Sequence, residues 1–142
     1  MRLREDLSGT LEAFDVIRHD LSIVKPDEDV GNLVSIIIDS PYEIIAVVDG
    51  GKFIGVVTTK NILRALTSKS GGLKARDLVA GDYPILSVNW SLSKALGVML
   101  LGGVCCAPVV YEDGSLAGVV TLSSLSKVMI EDIDVEELHA AD

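Results

Sequence analysis

Two threonines in this chain occupy positions from which they could bind an anion. Thr58 and Thr121 each end a Gly-Val-Val-Thr segment, and helical spacing follows each of them. A strand that leads into a helix in this way directs the first N–H groups of the helix and the threonine hydroxyl toward one point, where the helix dipole also attracts negative charge. We therefore predict phosphate contacts at Thr58 and Thr121, with Lys60, Arg64 and Lys127 as nearby positive charge. A simple cap of its own helix is an equally good interpretation of either threonine.

The segments that end in these threonines are two copies of one pattern. Ala46-Val47-Val48 corresponds to Pro108-Val109-Val110, and Gly55-Val56-Val57-Thr58 corresponds to Gly118-Val119-Val120-Thr121. The number of residues that separates equivalent segments is larger by one for the second pair than for the first. The extra residue falls in the turn between two predicted strands, where an insertion is tolerated. Glu112-Asp113-Gly114 supplies that turn in the second copy. The repeat predicts two similar units, each too small to close its own core, that pack against each other.

A helix is predicted before each pair of strands, because apolar residues recur at the spacing of one helical face. Apolar residues outside that stripe, such as Ile36, Val98 and Leu101, suggest a second buried face on these helices. That face is explained by packing of one repeat on the other or by an interface between subunits, and the two are compatible. The predicted stripes are Val30, Leu33, Val34, Ile37 and Ile38 in the first copy, and Leu92, Ala95, Leu96, Met99 and Leu100 in the second.

Composition narrows the class of protein. The chain has 142 residues, of which 49% are hydrophobic, enough for a core and a subunit interface, so we expect a homo-oligomer. No apolar run approaches the roughly 18 residues that span a bilayer, and the first residues do not have the pattern of a signal peptide. The net charge of −9 argues against nucleic acid or an anionic membrane as the partner. Cys105 and Cys106 are adjacent and form no disulfide framework, which predicts a cytoplasmic protein with two small apolar cysteines before a buried strand.

Motifs of catalysis and metal binding are missing from the sequence. It contains no GxSxG, HExxH or GxxxxGK[ST] pattern, and His19 has no second ligand at metal-binding spacing. We therefore expect neither an enzyme nor a metal site. The flexible composition of residues 67–72 predicts a joint between the copies, which divides the chain into an N-terminal arm with the first repeat, 1–72, and a second repeat with an acidic tail, 73–142.

The repeated order of strand, helix, hairpin and helix resembles the cystathionine β-synthase (CBS) domain in its tandem form, the Bateman module, over residues 13 to 130. This resemblance implies an α+β fold of two βαββα repeats related by a pseudo-two-fold axis, with clefts between them and a tendency to form homodimers. It also implies a stand-alone regulatory module that signals to an unidentified protein partner. The residues that carry the resemblance are Pro108-Val109-Val110, Glu112-Asp113-Gly114, Gly118-Val119-Val120-Thr121, Gly55-Val56-Val57-Thr58, Asp15 and Asp77.

The resemblance further implies a regulatory ligand that contains adenosine, such as AMP, ADP, ATP, NAD or S-adenosylmethionine, and no required cofactor. In the family an aspartate three residues after the threonine holds the ribose hydroxyls, whereas this chain has Asn61 and Ser124 there. Asn61 keeps one carbonyl acceptor and Ser124 one hydroxyl. We therefore expect the Asn61 cleft to be the more competent of the two, with weak affinity overall. A structural dimerisation or adaptor module that binds no nucleotide is the alternative.

By the same resemblance, the adenine base would lie against apolar strand residues that precede the helices and hairpins. For any one of these residues, a place in the apolar core is the better interpretation. Trp90 could stack on a base, but surface packing or an interface is preferred for it. The predicted base contacts are Ile23, Val24 and Ile45 in the first copy, and Ile85, Leu86 and Ala107 in the second.

Overall fold

The computed structural model describes residues 9–68 and 71–130, and within them the chain forms two three-stranded sheets. In each sheet the first two strands are parallel and the last two form an antiparallel hairpin. The first sheet contains β1 (Ile23–Val24), β2 (Ile44–Asp49) and β3 (Lys52–Thr58). The second contains β4 (Leu86–Ser87), β5 (Cys106–Val110) and β6 (Leu116–Thr121).

Helices occupy equivalent places around the two sheets. Helix α1 (Val30–Asp39) connects β1 to β2, and α2 (Thr59–Thr67) follows β3. Helix α3 (Leu92–Gly102) connects β4 to β5, and the chain is helical again over residues 122–130, here α4, after β6. Two βαββα repeats result, which confirms the predicted α+β fold. No helix among the described residues is long and apolar enough to cross a bilayer.

The buried stripes of α1 and α3 are narrower than predicted. Leu33 is buried on α1, and Leu92, Ala95 and Met99 are buried on α3. The predicted stripe residues Ile38 and Leu100 are instead exposed, as is Leu101 at 91%. Each helical residue advances about 100° around the axis, so Leu100 and Leu101 turn progressively away from the face that Met99 presents to the core. An apolar strip therefore stays open on the outside of these helices.

Each repeat is completed by the segment that leads into the other repeat. The first lead-in is residues 15–22, before β1, and the second lead-in is residues 77–85, before β4. Ala80 donates its amide to the carbonyl of Val56 at 2.9 Å, which adds residues 79–80 to the edge of β3. Arg18 and Val119 exchange two backbone hydrogen bonds of 2.8 and 2.9 Å, so the first lead-in extends β6 in the same way. The packing units therefore do not coincide with the sequence repeats, and the division at residues 72 and 73 remains a prediction about the sequence alone.

Two glycines permit this close crossing. A Cβ placed on Gly118 would lie 2.2 Å from the carbonyl oxygen of Arg18, and one on Gly55 would lie 2.5 Å from Cγ1 of Val79. Both distances are shorter than a Cβ contact tolerates. At Gly118 the neighbour is backbone, so the contact requires glycine, whereas at Gly55 the neighbour is a side-chain atom that can shift.

The N-terminal arm is part of the second repeat's core. Leu11 is fully buried, and its amide donates to the carbonyl of Trp90 at 3.0 Å. Trp90 itself is partly buried and carries the Lys94 ammonium over its ring at 4.3 Å, which agrees with surface packing.

A group of buried side chains fills the space between the two sheets: Leu21, Tyr42, Ile44, Ala46, Val56, Cys106 and Val119. Residues 69–70 of the predicted joint and the acidic tail from 131 lie outside the described residues.

Candidate ligand-binding cleft

Both predicted threonines cap a helix. The Thr58 hydroxyl oxygen accepts a hydrogen bond from the Asn61 amide at 3.1 Å, and the Thr121 hydroxyl oxygen accepts one from the Ser124 amide at 3.1 Å. Thr58 has extended backbone angles, which place it outside the helix and direct the first amides of α2 past its side chain. Capping is thereby established at both positions.

The two helix N-termini open into the same cleft. Thr58 and Thr121 both line a space of about 470 Å³ between the repeats. The first amide of α2 is taken by the carbonyl of Glu43 at 3.1 Å, and the first amide of α4 is taken by the carbonyl of Cys105 at 2.8 Å. The next amides, at Lys60 and Ser123, are groups that a helix cannot satisfy internally. One cleft therefore receives two sets of helix-terminal donors.

Within residues 9–68 and 71–130, the two charged side chains that line the cleft both belong to the first repeat and have opposite signs. Lys60 is exposed and lines the cleft beside Thr58, whereas Glu43 brings a negative charge to the same rim. Arg64, predicted as nearby positive charge, lies instead with Asn61 in a separate hollow of about 340 Å³. Lys60 is thus the predicted cation that the fold brings to the cleft.

The residues three positions after each threonine are engaged inside the protein. Asn61 donates its side-chain amide to the carbonyl of Leu78 at 2.8 Å, which ties α2 to the second lead-in. Ser124 accepts a hydrogen bond from the Thr121 hydroxyl at 2.8 Å. Asn61 keeps its carbonyl oxygen as an acceptor, and Ser124 uses its hydroxyl locally.

The predicted base contacts do not gather at the cleft. Ile23 and Ile85 are exposed, at 58% and 41%, but neither lines it. The other four side chains are closed to solvent, because β2 and β5 are the central strands of their sheets and β1 and β4 face the helices. All four pack in the apolar core, and Val24 also lines a hollow beside Ile23, so the base contacts stay a prediction: Val24, Ile45, Leu86 and Ala107.

Two tyrosines at the cleft were missed by sequence reasoning. Tyr83 donates its hydroxyl to the carbonyl of Cys106 at 2.7 Å, and burial raises the pKa of this phenol, so it remains a donor. Tyr42 accepts a hydrogen bond from Nε of Arg18 at 3.1 Å and donates to the Asp20 carboxylate, which lowers the pKa of Asp20. The chain has only three tyrosines, and the position of two of them beside Pro41 and Pro84 was the available signal.

The adjacent cysteines have different environments. Cys106 is buried between the sheets, and desolvation raises the pKa of its thiol, whereas Cys105 is exposed and lines the cleft. The expectation of two apolar core residues is therefore correct for Cys106 and wrong for Cys105, since the chain enters β5 only at residue 106. Among the described residues, no group of three or more side chains is arranged to hold a metal ion.

This difference predicts the reactivity of the thiols. Under native conditions, Ellman's reagent is expected to modify Cys105 rapidly and Cys106 at least about ten times more slowly, because the thiolate is the reactive species and Cys106 is both buried and held protonated. Cys105→Ser should remove the fast phase and leave the slow one. A fast phase that survives Cys105→Ser but is lost in Cys106→Ser would contradict the assignment.

Comparison with known proteins agrees with this architecture. Residues 13–68 and 75–131 each match the CBS domain, and the chain belongs to the CBS domain family. It is 26% identical over 117 residues to the inosine-5'-monophosphate dehydrogenase of Methanocaldococcus jannaschii, a match that covers 82% of this chain and 23% of that enzyme. The chain thus spans about a quarter of the length of that relative.

Solved structures of CBS-pair proteins have the same fold. The CBS-pair protein CBSX2 of Arabidopsis thaliana, in its complex with AMP, superposes with a TM-score of 0.71 at 24% identity, and the match covers 87% of this chain and 97% of that one. The cytosolic domain of the Mg²⁺ channel MgtE, in complex with ATP, superposes with a TM-score of 0.68 at 18% identity, and covers 80% of this chain and 46% of that one. CBS pairs of this fold therefore include proteins crystallised with adenine nucleotides.

Proposed function

We propose that this chain is a regulatory CBS pair that binds an adenosine-containing ligand of the AMP, ADP or ATP kind in the cleft between its repeats. The observation that carries the proposal is the meeting of Thr58 and Thr121, the caps of α2 and α4, in one cleft. Helix N-termini attract phosphate through free amides and the helix dipole, and Lys60 adds a full positive charge. NAD and S-adenosylmethionine share the adenosine group and remain candidates.

The proposed site has Thr58, Lys60 and Thr121 in the cleft, with Asn61 and Ser124 one helical turn after the caps and behind the cleft lining. Asn61 presents its remaining carbonyl oxygen to a ribose, and the phosphate occupies the helix ends. This arrangement needs no catalytic group, and we propose a binding module rather than an enzyme. An exposed free thiol at Cys105 is compatible with the reducing conditions of the cytoplasm, where we place the protein.

Regulation would act through the dimer. Ile38, Leu100 and Leu101 leave an apolar strip open on α1 and α3, and we propose that a second copy covers it. A ligand in the cleft touches both repeats, so its binding changes how the two sheets sit on each other across the residues packed between them. A partner protein that contacts the dimer would sense this change.

A thermal-shift panel tests the proposal. AMP, ADP, ATP, NAD and S-adenosylmethionine are compared with adenosine, which has the base and ribose but no phosphate. At about ten times its Kd, a ligand is expected to stabilise the protein by about 1.4 kcal/mol and to raise Tm by roughly 4 °C. Adenosine should give a smaller shift than AMP at equal concentration. The absence of a shift with all five ligands would refute nucleotide binding.

A structural dimerisation or adaptor role without nucleotide is the second candidate. It is favoured by the internal bonds of Asn61 to Leu78 and of Thr121 to Ser124, which satisfy side chains that a nucleotide would use. This role predicts a dimer in analytical ultracentrifugation whose dissociation constant is unchanged by 1 mM AMP or ATP, together with a flat thermal-shift panel.

A further inference from the structure

A continuous series of contacts runs from the first helix terminus of the cleft to the second. Asn61, at the start of α2, holds the carbonyl of Leu78 through its side-chain amide at 2.8 Å. The lead-in continues from Leu78 along the edge of β3, where the Ala80 amide donates to Val56 at 2.9 Å. Asn61 is therefore joined by a hydrogen bond to a segment that is itself fixed on the edge of β3.

The same lead-in reaches the second terminus through one side chain. Tyr83 donates its hydroxyl to the Cys106 carbonyl at 2.7 Å. The adjacent Cys105 carbonyl accepts the hydrogen bond of the Leu122 amide at 2.8 Å, and this amide is the first of α4. Tyr83 thus lies between a segment fixed by the first repeat and the loop that fixes the helix terminus of the second.

The first lead-in has a polar link to the first terminus as well, but it is made by other residues. In the first lead-in, Leu21 corresponds to Tyr83, and its buried aliphatic side chain donates no hydrogen bond. Arg18, which is paired with Val119 of the second repeat, instead donates its Nε to the Tyr42 hydroxyl at 3.1 Å. The carbonyl of Glu43, the residue after Tyr42, accepts the first amide of α2 at 3.1 Å. The link through Tyr83 is distinguished by running from a lead-in side chain directly to the backbone of β5.

We propose that the Tyr83 hydroxyl couples the two candidate anion sites, so that a change at Asn61 in the first repeat alters the start of α4 in the second. Tyr83 acts as a positioning residue: it contacts the strand that leads to the site and not the ligand's phosphate. Through this coupling, a ligand bound at one helix terminus of the cleft would change the structure of the other terminus. Only its ligand-driven use rests on the proposed function.

Native-state hydrogen exchange tests the coupling without ligand. In the wild-type background, Asn61→Ala is expected to speed exchange of the Leu122 amide about fivefold, the change that corresponds to the loss of one net hydrogen bond. In the Tyr83→Phe background, Asn61→Ala should change the Leu122 rate less than twofold. The Ala95 amide, which donates to Ser91 at the start of α3, should change less than twofold throughout. Tyr111→Phe, at an exposed tyrosine, is the matched control and should leave the fivefold effect intact.

A fivefold effect that persists in Tyr83→Phe, or no effect of Asn61→Ala in the wild-type background, overturns the coupling. Equal acceleration of Ala95 and Leu122 also overturns it, because that result indicates general destabilisation. A second arm adds AMP: it should slow Leu122 exchange in the wild type and in Tyr111→Phe but not in Tyr83→Phe. If AMP changes no amide in any variant, the proposed nucleotide function fails, while the ligand-free comparison still decides the role of Tyr83.

Discussion

Gly118→Ala is expected to lower the free energy of unfolding by about 3 kcal/mol. The new Cβ would lie 2.2 Å from the Arg18 carbonyl oxygen and 2.8 Å from Cγ2 of Ile17. Backbone cannot rotate away as a side chain can, so the first lead-in must separate from β6 and lose the two hydrogen bonds between Arg18 and Val119. Urea unfolding followed by circular dichroism measures the difference.

Two other glycines provide a graded control for this prediction. Gly55→Ala meets only Cγ1 of Val79, a side-chain atom that can move, so a loss of about 1 kcal/mol is expected. Gly97 lies inside α3 with no atom within 4 Å of an added Cβ, and Gly97→Ala should stabilise the protein by about 0.5–1 kcal/mol. Equal effects at Gly118 and Gly97 would show that the lead-in does not cross β6 as described.

Lys60→Glu is expected to weaken AMP binding about 10-fold to 100-fold. A charged hydrogen bond contributes roughly 1.5–3 kcal/mol, and the new carboxylate would also repel phosphate at the N-terminus of α2. Lys60 is exposed, so its replacement should alter Tm of the free protein little. Isothermal titration calorimetry with AMP gives the ratio of dissociation constants.

Lys25→Glu is the matched control for this charge reversal. Lys25 is also exposed and lies in a different hollow, with Ile23 and Gly50. The two variants have the same net charge, so any general electrostatic effect on AMP binding is equal in both. If Lys25→Glu loses as much affinity for AMP as Lys60→Glu, the proposal that phosphate binds at the N-terminus of α2 is contradicted.

The repeats, the helix caps and the hairpins were predictable from the sequence because they depend on neighbouring residues. Thr58 and Thr121 each cap a helix through a hydrogen bond to the residue three positions later. The hairpin turn at Glu112-Asp113-Gly114 is equally local. The similarity of the two copies then implied that they pack together. These features determine the class of fold and place both threonines at helix termini.

The crossing of the lead-ins was not predictable, because the pairing of Arg18 with Val119 joins residues far apart in the chain and leaves no local pattern. Its one trace in the sequence is the glycine that begins each Gly-Val-Val-Thr segment. The predicted base contacts, for each of which a core position was the better interpretation, stay a prediction. Ile45 and Ala107 read as strand residues, but only the assembled layers show that both faces of β2 and β5 are covered. The partner of Tyr83 was not predictable either, because it is a backbone carbonyl, which any residue supplies.

The central claim is that the phosphate of an adenine nucleotide binds at the helix termini of one cleft, and amide chemical shifts measured during an AMP titration test it most directly. We predict that the largest shifts occur at residues 58–61 and 121–124, and that adenosine at equal concentration shifts these amides far less. Shifts of equal size with adenosine, shifts confined to other parts of the chain, or no shifts at all would contradict the claim.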